Sequence, residues 1–143
     1  MRPDGHFRAV IDRPCCGVLH ALASIRSHDD LFADPLRGHS WEGFVVQQIR
    51  AYLDRRAELS YFRTQDGSEL DLVITQGTKA KVAIEIKTTN APVLTTGNRL
   101  AFDAVNAPLR LVLTPNARDH SLGDGITACS LLSVWKHLEN VLD

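Results

Sequence analysis

Apolar and polar positions alternate in two neighbouring stretches of this chain, Ser68-Glu69-Leu70-Asp71-Leu72-Val73-Ile74 and Val82-Ala83-Ile84-Glu85-Ile86-Lys87. Side chains alternate faces along a strand, so the pattern predicts strands over 69–74 and 80–87. Glu69 and Asp71 then share one face, and Glu85 and Lys87 share one face. A third strand is predicted over 59–64. Asp66-Gly67 and Gly77-Thr78 supply the turns that join the three into an antiparallel meander. Upstream, Trp41, Phe44, Val45, Ile49, Tyr52 and Leu53 recur at helical spacing, and the helix ends near Arg55-Arg56, where positive charge suits a C-terminus. A shorter helical run lies over 18–24, and Asp34-Pro35 reads as a helix start.

Downstream the chain predicts a helix over 99–106, an apolar strand over 109–113 stopped by Pro115, and a polar loop over 116–125. A strand over 126–129 follows, then a last helix capped by Ser130 with Leu131, Val134, Trp135, Leu138, Val141 and Leu142 as its apolar stripe. The strand–helix–strand step from 80–87 to 109–113 reads as a right-handed parallel crossover. The fold class is therefore α/β: a mixed sheet, an antiparallel three-strand meander plus a parallel crossover, flanked by helices. Residues 1–14 carry two prolines and no period, and read as a poorly ordered arm before a single domain over 15–143.

A chain of 143 residues suits one domain with a sizeable core. The formal net charge of -1 excludes a strongly basic nucleic-acid-binding surface and leaves a local basic patch open. No apolar run is long enough to cross a membrane, and the N-terminus lacks the apolar stretch of a signal peptide. The three cysteines, Cys15, Cys16 and Cys129, make a poor disulfide framework and point to a reducing, cytoplasmic compartment.

Ionised groups inside otherwise apolar strands cost several kcal/mol, on the order of the desolvation of a charge, unless they are paired or hold a metal. Asp71 and Glu85 offer hard oxygen ligands for Mg²⁺ or Mn²⁺, with the main-chain carbonyl of Ile86 as a third. Lys87, on the face of Glu85, can orient a water or neutralise developing charge. Glu42, one position off the centre of the long helix's stripe, can reach the metal directly or through water. Arg63 and Arg99 are candidate phosphate contacts. The same residues also suit a structural ion network, in which Lys87 or Arg63 pairs with the two acids.

The Asp, then Glu-x-Lys, preceded by a helical Glu, resembles the PD-(D/E)xK nuclease superfamily, with Leu70 where the motif's name has proline. Gly17-Val18-Leu19-His20-Ala21-Leu22, Gly38-His39-Ser40-Trp41-Glu42-Gly43-Phe44-Val45, Tyr61-Phe62-Arg63-Thr64 and Ala83-Ile84-Glu85-Ile86-Lys87 also resemble the C-terminal domain of unknown function, number 4143, of prokaryotic AAA-type ATPases. The resemblance implies a restriction-endonuclease-like core, with Asp71 and Glu85 on the metal and Lys87 and Glu42 in catalysis. It implies DNA as a substrate and an AAA-type ATPase core as a partner. No Gly-x-x-x-x-Gly-Lys-Ser/Thr run occurs, so this chain has no nucleotide-binding loop of that kind. The chain reads as an isolated C-terminal domain with an unrelated start. Two functions follow: a metal-dependent nuclease hydrolysing DNA phosphodiesters, or an inactive docking or DNA-sensing module of an ATPase system.

Overall fold

The computed structural model describes residues 5–9, 24, 26–35 and 37–142. Its elements are β1 (Gly5–Ala9), α1 (His28–Ala33), α2 (Arg37–Tyr52), β2 (Ala57–Thr64), β3 (Glu69–Gln76), β4 (Lys79–Ile86), α3 (Thr96–Val105), β5 (Leu109–Thr114), β6 (His120–Gly123), β7 (Ile126–Ser130) and α4 (Val134–Glu139). The chain divides into two units, Ile11–Leu53 and the joined segments Met1–Val10 and Asp54–Asp143. No helix among the described residues is long and apolar enough to cross a membrane.

The larger unit is built on a seven-stranded mixed sheet of order β1-β2-β3-β4-β5-β7-β6. The expected meander is present: β2 pairs antiparallel with β3, and β3 with β4. The expected crossover is present as well, since β5 runs parallel to β4 with Ile84 beside Leu111. Its chemistry explains the position. Val82, Ala83, Ile84 and Ile86 are buried, as are Leu111, Val112 and Leu113, and strands with apolar residues on both faces belong in a sheet interior. Helix α3 covers one face, packing Ala101, Phe102 and Val105 on Phe62, Leu70, Val73, Ala83, Val112 and Ile126. Thr95 and Asn98 form a reciprocal capping box at its start, and Asn106 ends it in the left-handed region at φ 50°.

Three features depart from the sequence reading in this unit. Within the stretch read as an arm, Gly5–Ala9 forms a strand beside β2, with Phe7 against the ring of Phe62 at 5.1 Å. Gly5 lies over that same ring, so a Cβ there would collide with it. Within the stretch read as a loop, His120–Gly123 forms strand β6 and turns back into β7 through Asp124-Gly125. Both turn residues have positive φ, 54° and 71°, the geometry for which Asp-Gly is suited. The last helix begins after Ser133 rather than Ser130 and is only six residues long, so Leu131, Val141 and Leu142 fall outside it. Ser130 instead closes a turn that accepts the N–H of Ser133 at 3.2 Å. Asp119 pins this region, accepting from Ser133 Oγ at 2.5 Å and meeting His137 Nε2 at 2.8 Å.

In the unit Ile11–Leu53, helix α2 starts at Arg37, whose N–H reaches the carbonyl of Asp34 at 3.1 Å. It ends at Tyr52, before the expected Arg55-Arg56, because the Asp54 side chain takes the N–H of Arg56 in a tight turn. Its buried line is Ser40, Gly43, Val45, Val46 and Ile49, while Phe44 and Tyr52 of the expected stripe are exposed. Small residues bury readily, so the buried line passes through Ser40 and Gly43 instead. Of the helical run expected over 18–24 only Ser24 is described, at φ 59°; Cys15 and Cys16 lie outside the described residues.

Candidate functional site

The meander does not run as an even ladder, and the irregularity falls on Asp71. Ser60 pairs with Val73 and Phe62 pairs with Leu70, so Tyr61 alone stands opposite two residues, Asp71 and Leu72. This is a β-bulge in β3, which bends a strand and re-aims the side chains it carries. It also resets the alternation. Leu70 packs with Val73 in the core under α3, although strict alternation would put them on opposite faces. The alternation is therefore reset between Asp71 and Val73, past the Glu69–Asp71 pair.

Pairing between β3 and β4 reaches Leu72 opposite Ile84. One step further, the N–H of Ile86 goes to Asp71 Oδ2 at 2.8 Å instead of to a main-chain carbonyl. There β3 stays with β2, where Arg63 faces Glu69, while β4 continues beside β5, where Ile86 faces Leu113. Asp71 thus closes the fork between two parting strands.

Glu85 sits in β4 immediately before that peptide and is buried, at 6% exposure. Its Oε1 accepts from Lys87 Nζ at 2.8 Å and from Asn98 Nδ2 at 3.0 Å. Its Oε2 is buried and has no hydrogen-bond partner among the described residues. Burial pushes the carboxyl pKa up, and Lys87 and then Asn98 pull it back without cancelling the rise. The expected pairing of Glu85 and Lys87 on one face is thus seen as a direct ion pair, with Lys87 partly exposed.

The sequence pattern does not single out Asn98, which precedes the helix it predicts over 99–106. The available signal was Thr95-x-x-Asn98, a polar pair at capping-box spacing. Asn98 is 8% exposed and also lies 3.5 Å from Lys87 Nζ through its Oδ1.

The remaining candidates have polar partners of their own. Glu42 is on α2 in the other unit, with its Oε2 3.7 Å from His39 Nδ1. Arg63 lies 3.6 Å from Glu69 across the strands, with both side chains exposed. Arg99 pairs with Asp124 at 2.5 Å and donates to the carbonyl of Leu122 at 3.2 Å. Among the described residues, no three His, Cys, Asp or Glu side chains cluster as metal ligands do.

Comparison with known proteins places this geometry in a sequence context. The family described as a domain of unknown function (DUF4143) matches residues 37–134. An uncharacterized protein of Mycobacterium bovis is 33% identical over 112 residues, covering 78% of this chain and 25% of the relative. An uncharacterized protein of Mycobacterium tuberculosis matches to the same extent. The chain thus spans about a quarter of the length of the curated relatives it matches. No solved structure matches it.

Proposed function

The chain belongs to the DUF4143 family, and from that premise we propose that the fork between β3 and β4 is a divalent-metal-dependent nuclease centre acting on DNA. The observation that carries the reading is Glu85 Oε2, a buried carboxylate oxygen with no hydrogen-bond partner among the described residues. Leaving such an oxygen unsatisfied costs about 1–3 kcal/mol or more for a charged group, and a cation removes that cost. In this reading the mixed sheet is a restriction-endonuclease-like core. Glu85 and Asp71 would hold Mg²⁺ or Mn²⁺, which needs few protein ligands because it keeps several waters. When bound, the cation would stabilise charge developing on the phosphoryl oxygens. Lys87, held 2.8 Å from Glu85 and partly exposed, orients a water or neutralises charge at the reacting phosphate. Arg63 and Arg99 would contact phosphates by exchanging their carboxylate partners for the nucleic acid.

A second reading is favoured by the same ion pairs: an inactive nuclease-fold module that docks on an AAA-type ATPase core or senses DNA in the cytoplasm. The Glu85–Lys87–Asn98 contacts alone would hold the core together, and the chain's coverage of a quarter of its relatives fits one module of a larger protein. The test compares wild type and Lys87→Ala on linear, single-stranded and four-way-junction DNA with Mn²⁺. Cleavage of one substrate that requires Mn²⁺ and is lost in Lys87→Ala supports the nuclease centre. Equal background on all three leaves the docking module.

A further inference from the structure

Asn98 makes contacts that helix capping does not require. A capping box needs only its oxygen: Oδ1 accepts the Thr95 N–H at 3.1 Å, and Thr95 Oγ1 accepts the Asn98 N–H at 3.1 Å. The other end of the amide points into the sheet. There Nδ2 donates to Glu85 Oε1 at 3.0 Å, while Oδ1 stays within 3.5 Å of Lys87 Nζ. One buried side chain from α3 therefore touches both members of the Glu-x-Lys pair on β4.

The residue type fits this double duty. The third position of a helix favours Glu, Gln or Asp, whose oxygen caps and whose charge suits the helix dipole. An acid here would set a second negative charge against buried Glu85 and offer it no donor. Asparagine keeps the capping oxygen, adds no charge, and supplies an N–H where Glu85 Oε1 needs one. With Oε1 held by Asn98 and Lys87, Oε2 is the oxygen left over.

We propose that Asn98 is a positioning residue of the site: it fixes the Glu85 carboxylate so that Oε2 is presented to a divalent cation. The proposal rests on the metal-centre reading above. Outer partners of this kind typically set metal affinity by about 10- to 100-fold.

The test separates capping from positioning. Mn²⁺ binding is measured by calorimetry at neutral pH for wild type, Thr95→Ala and Asn98→Ala, with thermal unfolding of each. Thr95→Ala removes the Thr95 Oγ1 contacts to the Asn98 N–H and Oδ1 but keeps the Thr95 N–H on Oδ1 and the Asn98 Nδ2 bond to Glu85, and should unfold earlier yet bind Mn²⁺ within about twofold of wild type. Asn98→Ala should bind roughly tenfold or more weakly. Asn98→Ser, too short to reach Glu85, covers the case in which Asn98→Ala does not fold, and should show the same loss. If wild type binds and the Asn98 variants bind equally well, or no worse than Thr95→Ala, the positioning role is overturned and the metal centre stands. If wild type does not bind Mn²⁺, both are overturned.

Discussion

The carboxylate of Asp71 holds the main-chain N–H of Ile86 at 2.8 Å, taking the place of a ladder carbonyl where β3 and β4 part. Asp71 is therefore part of the sheet's main-chain bonding as well as a candidate ligand.

That double position separates two substitutions. Asp71→Asn keeps an oxygen for the Ile86 N–H, and should fold with little loss while abolishing Mn²⁺ binding. Asp71→Ala removes the acceptor and should cost about 2 kcal/mol, the scale of a hydrogen bond to a charged group. Urea unfolding of the two variants beside wild type checks the difference, and equal stabilities would remove the structural role.

Glu85 sets a pH dependence of the opposite sign to an ordinary ion-paired acid. Its folded pKa is raised, mainly by burial, so the folded protein binds the proton more tightly than the unfolded chain. The contribution to stability is full below the usual carboxylate range and is lost as pH rises through the folded value. Glu85→Gln should therefore be more stable than wild type at neutral pH in the absence of metal. The gap should close below about pH 4. Thermal unfolding across pH measures it.

Asp119 works the other way. The hydroxyl of Ser133 and then His137 hold its carboxyl below the usual range. Its contribution is present above the ordinary carboxylate pKa and is lost as pH falls through the depressed folded value. Asp119→Asn should lower the melting temperature at pH 6 and converge on wild type in strong acid. A difference that stays constant from pH 6 to about pH 2 would contradict this.

Cys129 is free and fully buried, and burial, followed by the charge of Asp119, pushes its pKa up to about 12. A thiol reacts as its thiolate, so Cys129 should resist alkylation at pH 8 in the folded protein and react fully after unfolding. Mass spectrometry of the peptide holding residue 129 reads both states.

How much of this was legible follows from where the chain's signals are local. Asp66-Gly67 and the alternation through Glu85 fixed the meander and the Glu85–Lys87 face, both of which depend only on neighbours in sequence. The bulge at Asp71 was not legible. Leu70 and Leu72 are both apolar, so either can serve as core, and only pairing with β2 reveals the extra residue. The buried line of α2 was legible at Val45 and Ile49 but not at Ser40 and Gly43, which carry no hydrophobic signal. Asn98 was missed because its role depends on Glu85, which lies on another element thirteen residues earlier.

The pairing of β1 has a consequence for the order in which the chain assembles. Ala9 lies beside Ser60, so β1 leaves the ribosome well before its partner strand, and closing the intervening loop of about 50 residues costs more entropy than closing the short turn between β2 and β3. The meander can form from local contacts alone, whereas β1 must wait for it. An unpaired strand in that interval is open to pairing with other chains. Its short length and the exposed His6 and Arg8 limit that hazard, and Phe7 covers the ring of Phe62 once β1 is paired.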